Sequence, residues 1–309
     1  MNPWNATWPM TEAMAAERIA AAFPELSHLP VRHLGAGWDD HVFRCGPDLL
    51  FHFPRRPVAV ELLTTEGKVL PAIAPHLPAA VPAPSHACAA DRDGRPFSGM
   101  PWIPGQTTCR VPPQRLDSAE LARSLGRFLA ALHSLATDVD GLVDDAYGRT
   151  DLPRRRRKLD DHLPLLRSRL GPRLDELLRL LDRLSRTPIP DHTAIVHGDL
   201  YARHVLIDDN GQLSGIIDWG DVHRGCPALD LAVAWSVVPQ AHRSAFFAAY
   251  SGNEPVPGSW LAIARFRAAF HACMTLVYSD DIGDSALAAA SMRALAAVLD
   301  DPGPGLSTT

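Results

Sequence analysis

The sequence predicts an α+β fold in two lobes, a small N-terminal lobe built on an antiparallel sheet and a larger, mostly helical C-terminal lobe. Three observations carry this. Residues 31–103 alternate short β-rich runs with Gly and Pro turns and hold one helical stretch. Beyond Pro104-Gly105, apolar residues recur at helical spacing almost to the end. A single block of strand-like chain, 193–219, interrupts those helices. The predicted lobes are 1–102 and 103–309, with a hinge near 100–103.

The elements follow in order. Met10, Ala13, Met14, Ile19 and Phe23 lie near helical spacing, and Pro24 stops that helix. Val31–Leu34, His41–Arg44 and Leu49–Phe53 read as strands, and 58–74 as a helix through Val60, Leu63, Val69, Leu70 and Ile73. Extended chain then runs to Trp102-Ile103. Asp117 and Glu120 suggest a capping box ahead of the stripe Leu121, Leu125, Phe128, Leu129 and Leu132. Residues 156–185 form a Leu-rich helical region broken at Pro164 and Gly171-Pro172. Asp208-Asp209-Asn210-Gly211 between Val205–Ile207 and Leu213–Ile217 marks a hairpin. Helical pattern returns at 228–250, 260–278 and 284–299.

Composition narrows the function. The chain has 309 residues, and 30 Lys and Arg against 35 Asp and Glu give a net charge of −5. That balance speaks against a nucleic-acid partner. No apolar run reaches the roughly 18 residues that a membrane span requires, and Met1-Asn2-Pro3-Trp4 does not begin a signal peptide. The five cysteines are scattered, with no CxxC pair, which argues against a disulfide scaffold or zinc ribbon and suits a reducing cytoplasm.

The chemistry concentrates between Val196 and Trp235. Asp199 follows a strand, and Asp218 ends the second hairpin strand 19 residues later. A hairpin returns its far end to its start, so Asp199, His204 and Asp218 are expected to converge. Clustered carboxylates without matching Lys or Arg call for a cation. Mg²⁺ on a nucleotide phosphate suits such oxygen ligands. A metal-dependent hydrolase fits badly, because no second His-x-Asp or HExxH supplies its ligands.

His197-Gly198-Asp199-Leu200-Tyr201-Ala202-Arg203-His204 resembles the catalytic loop of kinases, and Asp218-Trp219-Gly220 their D-F-G. With the tail through Asp230, the stretch resembles the aminoglycoside and macrolide phosphotransferases, and the lobe layout extends the likeness over about 30 to 300. The resemblance implies a bilobal protein-kinase-like fold and a cytoplasmic, Mg²⁺-dependent small-molecule kinase. Such an enzyme moves the γ-phosphate of ATP or GTP to a hydroxyl of a macrolide or aminoglycoside. The alternatives are a kinase of a metabolic alcohol or sugar, and a catalytically weak nucleotide-binding relative. Asp199 takes the catalytic role, Asp218 and His204 the metal, and Asp230 braces the loop. His204 stands where protein kinases have Asn, as in macrolide and 2″-aminoglycoside kinases.

The same resemblance places the nucleotide in the N-terminal lobe. Gly35, Gly37 and Asp39 lie where the phosphate-covering loop belongs. His52 occupies the position of the expected Lys or Arg, with Glu66 as its partner carboxylate. Met100, Pro101 and Ile103 match the linker that binds the purine, with the Ile103 N–H as donor. Several features are set aside. Arg154–Lys158 reads as a solvated helix start balanced by Asp160 and Asp161. His133 reads as a packed, hydrogen-bonded residue, and Tyr250, Trp260, Phe266, Phe270, His271 and Tyr278 read as core, with the lining of an acceptor pocket as the alternative. Asp280, Asp281 and Asp284 are candidates for attracting a polyamine, with plain solvation as the simpler account.

Overall fold

The computed structural model describes residues 8–252 and 254–301; Met1–Trp4 and the prolines at 302–304 lie outside them. Helix α1 (Glu12–Ala22) starts at Thr11, whose hydroxyl accepts from the Met14 N–H at 3.3 Å, and ends before Pro24. Strands β1 (Val31–Ala36), β2 (Asp40–Cys45) and β3 (Leu49–Pro54) follow, then helix α2 (Pro57–Ile73), then β4 (His86–Cys88) and β5 (Phe97–Pro101). They form one antiparallel sheet in the order β1-β2-β3-β5-β4. Strand alternation sorts its two faces. Phe43, Cys45, Phe51, Phe53 and Phe97 pack with Ala15 and Ile19 of α1 in one core. His52, paired across the strands with Val42 and Ser98, lies on the other face.

The rest of the chain builds a second, larger core. Val69, Leu70 and Ile73 at the end of α2 already belong to it. The chain meets the helical part again at Ala80, whose carbonyl accepts from the Ile216 N–H at 3.0 Å. After β5, strand β6 (Gln106–Thr107) leaves the first sheet altogether. Helices α3 (Ala119–Ser134), α4 (Leu152–Lys158), α5 (Leu163–Leu170) and α6 (Arg173–Leu184) come next. All five residues of the predicted α3 stripe are buried. Its cap is Ser118, one residue past the expected Asp117, because the Ser118 hydroxyl accepts from Leu121 N–H at 3.2 Å. Glu120 instead reaches Arg123 and Arg127. Asp117 sits 2.7 Å from His242.

Strands β7 (Ala194–Val196), β8 (Val205–Ile207), β9 (Leu213–Ile216) and β10 (His223–Gly225) complete the strand set. β6, β8 and β9 make a three-stranded sheet, and β7 pairs with β10, a strand the sequence did not announce. The predicted hairpin forms, closed by Asp208, whose carboxylate accepts from the Asn210 and Gln212 N–H groups at 2.9 and 2.8 Å. Helices α7 (Val233–Ser236), α8 (Arg243–Ser251), α9 (Gly258–Ile282) and α10 (Ser285–Leu299) finish the fold. Among the described residues no helix is long and apolar enough to cross a membrane. The cysteines are free, and all but the half-buried Cys88 are buried.

Candidate active site

Strand β7 delivers His197-Gly198-Asp199, and a buried carboxylate behind it fixes the loop. Asp230 is fully buried. It accepts from the His197 N–H at 2.7 Å and the Gly198 N–H at 2.9 Å. His133 stands 3.2 Å away on its other side and 2.9 Å from the Tyr250 hydroxyl. Burial alone would raise the Asp230 pKa; His133, His197 and the Gly198 N–H together hold the carboxylate below its ordinary range. Gly198 has φ +80, and a Cβ there would lie 2.5 Å from the Asp221 carbonyl and 2.8 Å from His223 Nδ1. Only glycine fits that turn.

Asp199 points its carboxylate toward α9. Its Oδ1 lies 3.0 Å from Arg267 Nη2 and 3.0 Å from His271 Nε2. Arg267 also donates to the Gly198 carbonyl at 2.9 Å. Burial would raise the Asp199 pKa, but His271 and Arg267 keep it well below the usual carboxylate range. Both contacts fall on one oxygen, and among the described residues Oδ2 takes no hydrogen bond. Arg267 was missed as a site residue, and His271 was read as core, with a pocket lining only as the alternative. Their signal was an Arg and a His one helical turn apart within a mostly apolar stretch of α9.

His204 joins the two loops. Its Nδ1 is 2.9 Å from the Asp199 carbonyl, which only accepts, so Nδ1 carries the proton. Its Nε2 is then turned to Asp218 Oδ2 at 3.0 Å. Against the burial that would lower it, Asp218 raises the His204 pKa. In return His204 holds Asp218 at about 2. Asp218 is the one described non-glycine residue with positive φ, at 65°. That strained backbone leaves its side chain 65% exposed. Among the described residues no three His, Cys, Asp or Glu side chains cluster as a metal site. Asp218 with His204 beside it fits an ion such as Mg²⁺, which keeps waters and takes its remaining oxygens from phosphates.

The sheet lobe contributes less directly. His52 Nδ1 pairs with Asp40 Oδ2 at 3.7 Å, rather than with Glu66 as expected. Register explains this: His52 faces Val42 across the strands, and Asp40 is two residues along β2, on the same face. Glu66 is 4% exposed. It accepts from the Trp219 backbone N–H, which ties α2 to the Asp218 loop. Burial raises its pKa to about 7, over the opposing charge of His52. Gly35 lies in β1 opposite Val42, where the register shifts, and Gly37 in the β1–β2 turn, where its N–H donates to the Asp40 carbonyl at 2.9 Å. Asp39 is turned to Arg56, 2.6 Å from its Nη2, and burial lifts its pKa to about 6 despite that contact. Arg55 reaches the Gly37 carbonyl. At the tip, the Trp38 ring lies 5.1 Å from that of Tyr278 on α9. Met100 is buried within β5, Pro101 ends it exposed, and Ile103 packs against Gly215 of β9.

A five-stranded antiparallel sheet set over a helical lobe, with an H-x-D loop and a D-W-G turn meeting between them, defines the kinase-like phosphotransferase fold. The chain belongs to the Phosphotransferase enzyme family, whose model matches residues 30–276. It is similar in structure to aminoglycoside 2'-phosphotransferase-IIIa in its GDP complex. That likeness has a TM-score of 0.72 at 19% identity, over 94% of this chain and 99% of that one. Macrolide 2'-phosphotransferase type I matches with a TM-score of 0.61 at 26% identity, covering 93% and 98%. The apoenzyme of macrolide 2'-phosphotransferase MphH from Brachybacterium faecium gives 0.57 at 24%, covering 89% and 93%. A shorter match, 39% identical over 44 residues, joins the chain to the uncharacterized protein YcbJ of Bacillus subtilis (strain 168). It takes in only 14% of either chain.

Proposed function

We propose that the protein transfers the γ-phosphate of ATP or GTP to a hydroxyl of a small, antibiotic-like acceptor. One observation carries the reading: the His204 ring touches both acidic loops, the Asp199 carbonyl at 2.9 Å and Asp218 at 3.0 Å. Two carboxylates of separate loops therefore share one small volume. Asp199, held by Arg267 and His271 through Oδ1, presents Oδ2 to the acceptor hydroxyl. As the acceptor oxygen bonds to phosphorus and the link to the β-phosphate breaks, the hydroxyl proton passes to that oxygen. Asp218, with His204 alongside, would hold Mg²⁺, which supplies neutralising charge to the nucleotide phosphates. Gly35, Gly37 and Asp39 would cover the phosphates. His52 and Glu66 would line the same space from the sheet. Met100, Pro101 and Ile103 would take the base, because the Ile103 N–H has no acceptor of its own among the described residues. The lobes 1–102 and 103–309 then form the two sides of the cleft.

Nucleotide consumption is measured with ATP and GTP in parallel, with Mg²⁺ and a panel of macrolides, aminoglycosides and small alcohols. Asp199→Asn should reduce acceptor-dependent turnover on the order of 10²-fold or more. It should leave nucleotide-dependent thermal stabilisation in place. Equal turnover in the variant would remove Asp199 from the reaction.

A further inference from the structure

Asp199 shares its surroundings with two arginines, Arg267 and Arg149, as well as with the carboxylates of Asp218 and Asp221. Arg267 is committed to Asp199 and the Gly198 carbonyl. Arg149 lies between Asp145, 2.9 Å away, and Asp221, with its guanidinium 4.9 Å from the Tyr147 ring centre. In the basic run that the sequence assigned to solvent, Arg156 is half-buried against Asp160 and Asp182, and Arg155 differs from it in its partners. It is half-buried, with Cζ 5.8 Å from the centre of Phe270, the residue before His271. Its guanidinium donates only to the carbonyls of Tyr147 at 2.8 Å and Gly148 at 3.3 Å.

Among the described residues Arg155 has no carboxylate partner. Asp145 accepts from the Tyr147 and Arg149 N–H groups and from the Arg149 side chain. Asp199 and Asp221 are taken by Arg267 and Arg149. Burial, then the charges of Arg267 and Arg149, pull the Arg155 pKa down to about 10. It remains a cation at neutral pH, held among like charges. Asp145 opposes them only in part, and an incoming anion would complete the pairing. The acids that might have welcomed a polyamine are engaged elsewhere. Asp280 pairs with Arg169. Asp284 accepts from the Leu287 N–H at 3.0 Å and from Arg110 at 2.9 Å.

We propose that the acceptor carries an oxyanion, a carboxylate or phosphate, which Arg155 receives while a hydroxyl of the same molecule meets Asp199. This rests on the phosphotransferase reading and sets an anionic acceptor in place of a macrolide or aminoglycoside: a polycationic acceptor would face an unmatched guanidinium.

The test uses protein saturated with Mg²⁺ and a nucleoside diphosphate, so that the phosphate-binding side is filled. Glycerol 3-phosphate, glycerate, glycerol and kanamycin are titrated into wild type, Arg155→Gln and Arg155→Lys. Thermal shift and calorimetry read binding, and the triphosphate form reads turnover. Glycerol 3-phosphate or glycerate should bind wild type, and the pair shows which oxyanion is preferred. Glycerol and kanamycin should not bind. Arg155→Gln should weaken oxyanion binding at least tenfold with nucleotide stabilisation intact, which also certifies its fold, and Arg155→Lys should recover part of it. An oxyanion affinity unchanged in Arg155→Gln, no oxyanion binding in wild type, or kanamycin binding as tightly would overturn the proposal. If cationic or neutral acceptors are phosphorylated regardless of Arg155, the phosphotransferase reading stands and this inference falls. If the diphosphate itself fails to bind, both fall.

Discussion

Glu66 is a buried acid whose nearest cationic neighbour is a histidine, not the lysine or arginine that the family resemblance led us to expect. Burial is the larger effect, and its pKa rises from 4.5 to about 7. The folded protein therefore keeps a proton on Glu66 that the unfolded chain has released, and stability falls as pH rises between those two values. The displacement corresponds to about 3 kcal/mol at most. His52 acts with the same sign: against burial, Asp40 raises its pKa, so its contribution is also lost as pH rises through the folded value. Glu66→Gln, which keeps an acceptor for the Trp219 N–H, should flatten the decline in nucleotide-free stability between pH 4.5 and 8. Denaturant melts across that range check it, and an equal slope in the variant would assign the decline to other groups. The sequence placed Glu66 and His52 in one neighbourhood by motif spacing. It missed Asp40 as the ion-pair partner, because strand register depends on pairing that spacing along one chain does not encode.

At the scale of elements, the His197–Asp199 loop is held by the turn that follows β10. Asp230 sits in the short helical turn Pro227–Ala232 and saturates two loop N–H groups. An Asn there offers one acceptor oxygen and one NH₂, so one buried N–H is left facing a donor. That should cost about 1–3 kcal/mol in stability. Asp230→Asn is expected to lower the melting temperature and to cut kcat more than it weakens nucleotide binding, since the loop that aims Asp199 is what loosens. A kcat unchanged beside a lowered melting temperature would make Asp230 a folding residue alone. The motif made Asp230 legible, but His133 entered the same bond from α3, more than ninety residues earlier in the chain. A histidine ending an apolar stripe carries no local mark of what it will touch. The α3 cap shifted from Asp117 to Ser118 for a similar reason, since adjacent polar residues compete for one N–H and tertiary contacts decide between them.

The whole molecule is two cores joined at more places than composition suggested. The order of the lobes was readable, because β-rich runs punctuated by Gly and Pro give way to helical periodicity after Gly105. The crossing at Ala80 was not, because it depends on a chain segment of no regular structure meeting β9. Nor was the contact between the glycine turn and α9. Trp38 extends from the sheet lobe to Tyr278, and its indole N–H donates to the Tyr278 hydroxyl, which Arg203 also contacts. The turn that would cover the nucleotide phosphates is thereby anchored to the helix that carries Arg267 and His271. An aromatic pair of this kind contributes about 0.5–1.5 kcal/mol. If the anchor acts in nucleotide binding, Trp38→Ala and Tyr278→Leu should each raise nucleotide KM, and the double variant should be no worse than the poorer single. The coupling in a double-mutant cycle should be about 1 kcal/mol, or roughly fivefold in KM. The kcat should fall less, since neither ring touches Asp199. Additive effects on KM would mean that the turn binds nucleotide without bearing on α9, leaving Ala80, the end of α2 in the larger core and the Glu66–Trp219 bond among the couplings between the lobes.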